Sequence, residues 1–376
     1  MGACNRMNNK NNFNITITPT PTATPTPNPI ITPLPTVAPD DNRRKAEEIL
    51  KSMSLEEKVG QMFFVCLKKG SVIDDIKTYH FGGLILFAND FEMESKSSIQ
   101  VLLQEYQNTS KLPLLIGVDE EGGTVNRVSK YSAFRNEPFL SPQDLYKNGG
   151  YELIKSDAIE KSDLLLSLGI NVNLAPVCDV STNPIDFIYK RSFGKNAEET
   201  SEFIRTVVAL MKDKHIGVTL KHFPGYGNNV DTHTGIAIDN RSYDSFTTND
   251  FLPFQAGIEA GADSIMVSHN IVRCMDEENP ASISRKVHEI LRDELNFDGI
   301  ILTDDLKMDG VKGYANENDI GVLAVLAGND MLITSDYEQQ IPSVIEALQN
   351  KQITLTQIDE SVRRILLWKL SIGVIE

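Results

Sequence analysis

Eight short apolar runs, rich in β-branched residues, recur along the chain at 61–67, 82–87, 112–118, 172–180, 218–222, 264–269, 299–303 and 330–334. Most are separated by stretches of helical period, such as "DAIEKSDLLLSLG", "TSEFIRTVVALMKDKH" and "SRKVHEILRDELN". A strand that is apolar on both faces belongs in a parallel sheet covered on both sides by helices. Eight such units predict a closed (β/α)8 TIM barrel, which needs about 250 residues plus insertions. A doubly wound α/β sheet is the alternative, but no G-x-G-x-x-G follows the first run. Ser54 and Glu57 stand in capping-box spacing and mark an early helix start. The barrel is expected over residues 41–376, as a single domain.

Residues 1–40 have another character. The stretch "TITPTPTATPTPNPIITPLPTVAPDD" holds eight of the 17 prolines and has no apolar period. It cannot build a core, and at about 3.1 Å per residue it would reach roughly 70–80 Å as a semi-rigid spacer. Met1-Gly2-Ala3-Cys4 resembles the end of a bacterial lipoprotein signal, in which the cysteine becomes the lipidated first residue. A tether anchored at Cys4, holding the domain outside the cell at a membrane surface, is therefore the expectation. The competing reading is a disordered tail with an incidental cysteine.

The net charge of −16 leaves no basic field to attract phosphates, so nucleic acid and direct electrostatic binding to anionic membrane are excluded as partners. Cys4, Cys66, Cys178 and Cys274 are scattered without a C-x-x-C pair, which argues against a zinc site or a disulfide framework. A neutral or small ligand fits the composition better.

In a TIM barrel, chemistry gathers at the C-terminal ends of the strands. Here Asp119, Asp179, Lys221 with His222, His269 and Asp304 finish five of the apolar runs. Any one such aspartate serves equally well as the cap of a following helix. Together they describe a polar bowl with at least three carboxylates. Asp304, where "GIILT" stops at a carboxylate pair, is the candidate nucleophile, able to form a covalent ester. Strand alternation is expected to turn Asp305 away from whatever Asp304 faces. In "KHFPGYGNNVDTHTG", Asp231 stands two residues from His233 among glycines, where a carboxylate can fix an imidazole tautomer for acid/base work. An Asx-turn with a solvent-facing histidine is the alternative. Lys221 and His222, helped by Arg127 and Arg191, are candidate donors to the hydroxyls of a sugar, and His269 joins them as a substrate contact.

These residues resemble glycoside hydrolase family 3, in its β-N-acetylglucosaminidase branch. "MSLEEKVGQMF", "FGGLILF", "GVDEEGGTVNRV", "NLAPVCDV", "KRSFG", "KHFPGYG", "DTH" and "ILTDDLKMDG" occur in that family's order between Met53 and Gly310. The resemblance implies a retaining hydrolase of terminal β-linked N-acetylglucosamine, with peptidoglycan fragments as common bacterial substrates. It assigns Asp304 as nucleophile, His233 as acid/base with Asp231 as its partner, and Asp119, Arg127, Arg191, Lys221 and His222 as the sugar-holding set. It implies no metal and no organic cofactor, and a monomer is the expectation. Tyr226 departs from the family, which more often has a second histidine there, and Asn228-Asn229 replaces a usual Asp-Thr or Asn-Thr. The end of the chain soon after "SVRRILLWKL" resembles the single-domain members.

Three rival functions share the fold. A zinc hydrolase would use His222, His233, His269 and Asp304, although the first strand lacks His-x-His. A phosphorylase would use the same site with phosphate in place of water. A non-catalytic surface sugar-binding protein would have no use for an acid and a nucleophile together.

Overall fold

The apolar runs become strands because each is enclosed on both faces. In the computed structural model, which describes residues 39–66, 72–229, 235, 237–314 and 320–376, the strands are β1 (Phe63–Cys66), β2 (Gly83–Leu86), β3 (Leu115–Val118), β4 (Val172–Asn173), β5 (Gly217–Phe223), β6 (Ile238–Asp239), β7 (Ser264–Val267), β8 (Ile271–Val272), β9 (Ile300–Thr303) and β10 (Leu332–Thr334). Eight of them pair in parallel in the order β10-β1-β2-β3-β4-β5-β7-β9. A parallel bridge between Leu302 and Met331 and the bond from the Asp330 amide to the Ile301 carbonyl (2.8 Å) join β9 to β10 and close the ring. The predicted (β/α)8 barrel is the observed architecture, and each of the eight apolar runs supplies one barrel strand. The extra pair, β6 with β8, lies between loops beyond the ends of β5 and β7.

Strand β4 is shorter than the run at 172–180 suggests. Pro176 has no N–H to give to a neighbouring strand, so regular pairing stops at Asn173 and resumes only as a bridge between Val177 and Lys221. The barrel interior is tight around Phe64. A Cβ on Gly117 would lie 2.5 Å from its ring, and one on Gly83 would lie 2.8 Å away. Glycine on β2 and β3 therefore makes the room that the phenyl ring fills.

The surrounding helices begin where short polar residues stand. Ser54, Ser95, Ser141, Asn196 and Thr354 each accept a bond from a first-turn amide, and Ser54 with Glu57 forms the expected capping box. The helix Ala197–Asp213 turns Phe203, Ile204, Val208 and Met211 inward, and each such burial contributes about 1.5–3 kcal/mol. In the helix Leu355–Ser371, buried Lys369 donates to Gln61 Oε1 at 2.6 Å, while Gln61 donates to the carbonyls of His80 and Phe81. This polar link ties the last helix to the N-terminal end of the barrel. No helix among the described residues is long and apolar enough to cross a membrane. The predicted tether, Cys4 included, lies outside the described residues.

Candidate active site

The C-terminal ends of the strands open into a cleft of about 510 Å³. Its apolar base includes Ile85, Leu174, Met266 and Ile333, one from or beside each of four strands. Polar side chains ring that base. Asp119 follows β3, Lys221 and His222 end β5, Asp304 follows β9, and Arg127 and Arg191 enter from loops.

None of the strand-end aspartates caps a helix. The helix after Asp304 starts only at Asp309, the one after Asp119 at Pro142 under Ser141, and the one after Asp179 at Ala197 under Asn196. The capping alternative is thereby removed for all three.

Lys221 is 1% exposed and bonds Asp119 Oδ1 at 2.7 Å and Glu121 Oε1 at 2.6 Å. Arg191 grips the same Glu121 with both arms, Nε to Oε2 at 3.0 Å and Nη2 to Oε1 at 2.8 Å. Burial works against an ionised Glu121, but the Arg191 and Lys221 charges outweigh it and hold the carboxyl well below the usual carboxylate range. Reciprocally, burial disfavours the Arg191 charge, and Glu121 more than restores it. Glu121 is thus a fixed anion beneath the cleft that locks two cations in place. Sequence reasoning did not single it out, although it sits inside the quoted "DEEGG".

His222 is also fully engaged. Its backbone N–H and its Nδ1 both meet Asp179 Oδ2, at 3.1 and 2.7 Å, and Arg191 Nη2 lies 3.0 Å from Nε2. A guanidinium can only donate, so Nε2 accepts and Nδ1 carries the proton. The expectation that His222 donates to a ligand hydroxyl is corrected here, because its one ring proton points to Asp179. Asp179 itself is buried and accepts the Tyr226 amide at 2.7 Å through its other oxygen.

Arg127 is presented by a built loop. Buried Glu120 accepts the amides of Arg127 and Val128 at 2.8 Å each. The guanidinium stands 3.8 Å from Asp119 Oδ2 and 6.0 Å from the centre of the Phe87 ring, and its Nε has no hydrogen-bond partner. Arg127 lines the cleft beside Asp119.

Asp304 sits just past β9, its amide bonded to the Val267 carbonyl at 3.0 Å and its Oδ1 accepting the Asp305 amide at 2.8 Å. Both Asp304 and Asp305 line the cleft. The prediction that alternation turns Asp305 away fails because β9 ends at Thr303, and beyond a strand the two-residue period no longer applies. Burial, and then the charge of Asp304, raise the Asp305 carboxyl above its ordinary range, against the pull of the Lys307 amide.

His269 stands apart from the other strand-end residues. It is fully buried behind the wall, its Nε2 donating to the Asp305 carbonyl at 3.0 Å and its Nδ1 2.7 Å from Ser282 Oγ. Its place is against the backbone that carries the acidic pair.

Asp231 and His233 lie outside the described residues. Both feet of their loop are described. Asn229 donates to Asp239 Oδ2 and to the Tyr226 carbonyl, and Arg241 bonds the Gly225 carbonyl and the carboxylates of Asp239 and Asp250. On the far side the Ile271 amide holds the Ala237 carbonyl at 2.8 Å. Gly225, at φ +118°, is required at the first foot, since a Cβ there would lie 2.4 Å from Asp250 Oδ1. Among the described residues, no cluster of three or more His, Cys, Asp or Glu could hold a metal ion.

Residues 54–367 match the model of the glycosyl hydrolase family 3 N-terminal domain. A beta-hexosaminidase A of Pseudoalteromonas piscicida is 31% identical over 320 residues, which are 77% of this chain and 53% of that protein. A beta-hexosaminidase of Tolumonas auensis is 31% identical over 272 residues, 72% of this chain and 80% of the other. The solved structure of a family 3 beta-N-acetylglucosaminidase from a Paenibacillus species superposes with a TM-score of 0.80 at 29% identity, covering 86% of this chain and 63% of that one. The chain thus spans about half the length of the first relative and just under two thirds of the solved structure. With a family match that runs through the whole barrel, from the capping box at Ser54 to the last helix, the chain belongs to glycosyl hydrolase family 3.

Proposed function

We propose that the protein is a retaining β-N-acetylglucosaminidase that removes a terminal, non-reducing β-linked N-acetylglucosamine. The observation that carries the reading is the pairing of a strand-end carboxylate, Asp304, with the donor-rich wall of Lys221, Arg127 and Arg191 around one cleft. A cleft of this size takes one sugar end-on, and a sugar is dense in hydroxyls for those donors.

Asp304 attacks the anomeric carbon while the bond to the leaving oxygen breaks, and His233 gives that oxygen its proton. Water then attacks the glycosyl ester, returns a proton to His233 and frees Asp304. Asp231 hydrogen-bonds the imidazole and raises its proton affinity. Peptidoglycan fragments are the proposed natural source of the sugar. The protein acts as a monomer at the cell surface, tethered through lipidated Cys4 and the Pro/Thr spacer. Relatives named beta-hexosaminidase support the sugar, and the sequence order of "KHFPGYG" and "DTH" supports the acid/base pair.

The test is release of 4-nitrophenol from its β-N-acetylglucosaminide, in phosphate-free buffer with chelator, beside the β-glucoside. Turnover of the acetamido sugar alone is expected. Turnover only when phosphate is added would replace the hydrolase with a phosphorylase, and loss of activity in chelator would restore the zinc reading. No turnover under any condition would leave a sugar-binding protein.

A further inference from the structure

The loop that follows β4 carries large apolar side chains out into solvent. Ile185 is 88% exposed and Phe187 is 37% exposed. The loop is nonetheless well held. Ser181 Oγ donates to Asp186 Oδ2 at 2.7 Å, Asn183 Nδ2 to Asp186 Oδ1 at 3.2 Å, and the Asp186 and Tyr189 amides close successive turns at 3.0 and 3.2 Å. Four residues beyond Phe187, Arg191 is clamped on Glu121 at the floor of the cleft.

Phe187 lines the cleft, and it continues inward. Its ring centre lies 5.7 Å from that of Tyr226, with the planes at 48°, and Tyr226 lies 5.4 Å from His222 at 82°. Exposure falls along this series from 37% at Phe187 to 2% at Tyr226 and 4% at His222. Tyr226 packs with Val177 and Ile188 in a small apolar cluster separate from the main core, which backs the Phe187 loop. The rings thus run from the mouth of the cleft to the floor where the polar donors sit. Phe87, also on the cleft wall, has the Arg127 guanidinium over its ring, whereas among the described residues no cation is seated on Phe187.

A sugar whose hydroxyls engage the floor has Phe187 on the cleft wall beside it. A pyranose ring presents a face of C–H bonds, positively polarised, which suits the negative face of a phenyl ring. We propose that Phe187, backed by Tyr226, is a leaving-group subsite that stacks a pyranose, so that the protein prefers β-linked amino-sugar oligosaccharides over glycosides of small alkyl groups. This inference rests on the glycosidase reading above.

The test compares kcat/KM for N,N′-diacetylchitobiose and for methyl β-N-acetylglucosaminide, whose aglycone is too small to stack. The ratio of the two is measured in the wild type, in Phe187→Ala and Phe187→Trp, and in Ile185→Ala, which alters the same loop off the cleft wall. Phe187→Ala should lower the disaccharide preference about tenfold. Phe187→Trp should keep it, and Ile185→Ala should leave both rates unchanged. An unchanged ratio in Phe187→Ala overturns the proposal, as does an equal fall in Ile185→Ala, which would make the loop's fold the cause. A wild type that cleaves neither substrate refutes the glycosidase reading itself and the subsite with it.

Discussion

Arg191 donates to His222 Nε2 across 3.0 Å while Asp179 takes the proton on Nδ1 at 2.7 Å, so this imidazole is held in a single tautomer. Arg191 in turn is fastened to Glu121. His222 therefore organises the donors around it. The Asp179→Asn variant lets the ring protonate Nε2 and turn its N–H against the guanidinium. A fall of about 10- to 100-fold in kcat/KM is expected, of the kind that follows loss of an imidazole-orienting carboxylate. Steady-state kinetics across pH check it, and an unchanged rate and pH profile would show the pairing to be merely structural.

Asp304 and Asp305 share the cleft wall, and the proposed mechanism gives them different roles. Asp304→Asn should lower kcat by at least about 10³-fold, as loss of a covalent nucleophile does. Asp305→Asn should cost about tenfold or less, because the Asp305 side chain accepts the Lys307 amide and is drawn toward its neutral form by burial. Equal losses in the two variants would contradict the assignment of Asp304.

Glu121 makes an acid-dependent contribution to stability. Burial resists its charge, but Arg191 and Lys221 keep its carboxyl below the ordinary range. A carboxylate depressed in the folded state contributes stability above its unfolded pKa of about 4.3, and that stability is lost as pH falls further toward the folded value. Glu121→Gln leaves two buried cations short of an anion and should lower stability by about 3–5 kcal/mol at pH 7. The gap in Tm between wild type and variant should narrow from pH 6 to pH 3. A gap constant over that range would rule out ionisation as the source.

Lys369 gives a slope of the same sign, at higher pH and from a cost of burial instead of a gain from pairing. Burial alone lowers its ammonium from 10.5 to about 7. Between those values the unfolded chain binds a proton that the folded one does not, so stability rises with pH by about 1.4 kcal/mol per unit. Relative to Lys369→Met, the wild type should therefore gain stability from about pH 7 upward and show no such trend below it. Denaturant titrations of both proteins at pH 6, 7.5 and 9 decide the matter. A flat difference would mean that the amine stays charged beside Gln61.

Much of this was written locally. The alternation of apolar runs with helical stretches is decided by neighbouring residues, and it placed all eight barrel strands and therefore the residues at their ends, Asp119, Lys221 and Asp304 among them. What the chain could not state locally is which side chains meet once the barrel closes. Lys221 bonds Asp119 from 102 positions away, and Arg191 reaches Glu121 across 70. The burial that makes Glu121 an anchor exists only when its own loop, the Arg191 loop and the end of β5 converge. Asp305 faces the cleft because its strand has already ended, His269 turns to the backbone of Asp305, and Phe187 reaches the cleft mouth because Asp186 fixes its loop. Sequence periodicity fixes which residues arrive at the rim; closure of the barrel and the hydrogen bonds of its loops decide which way each one faces.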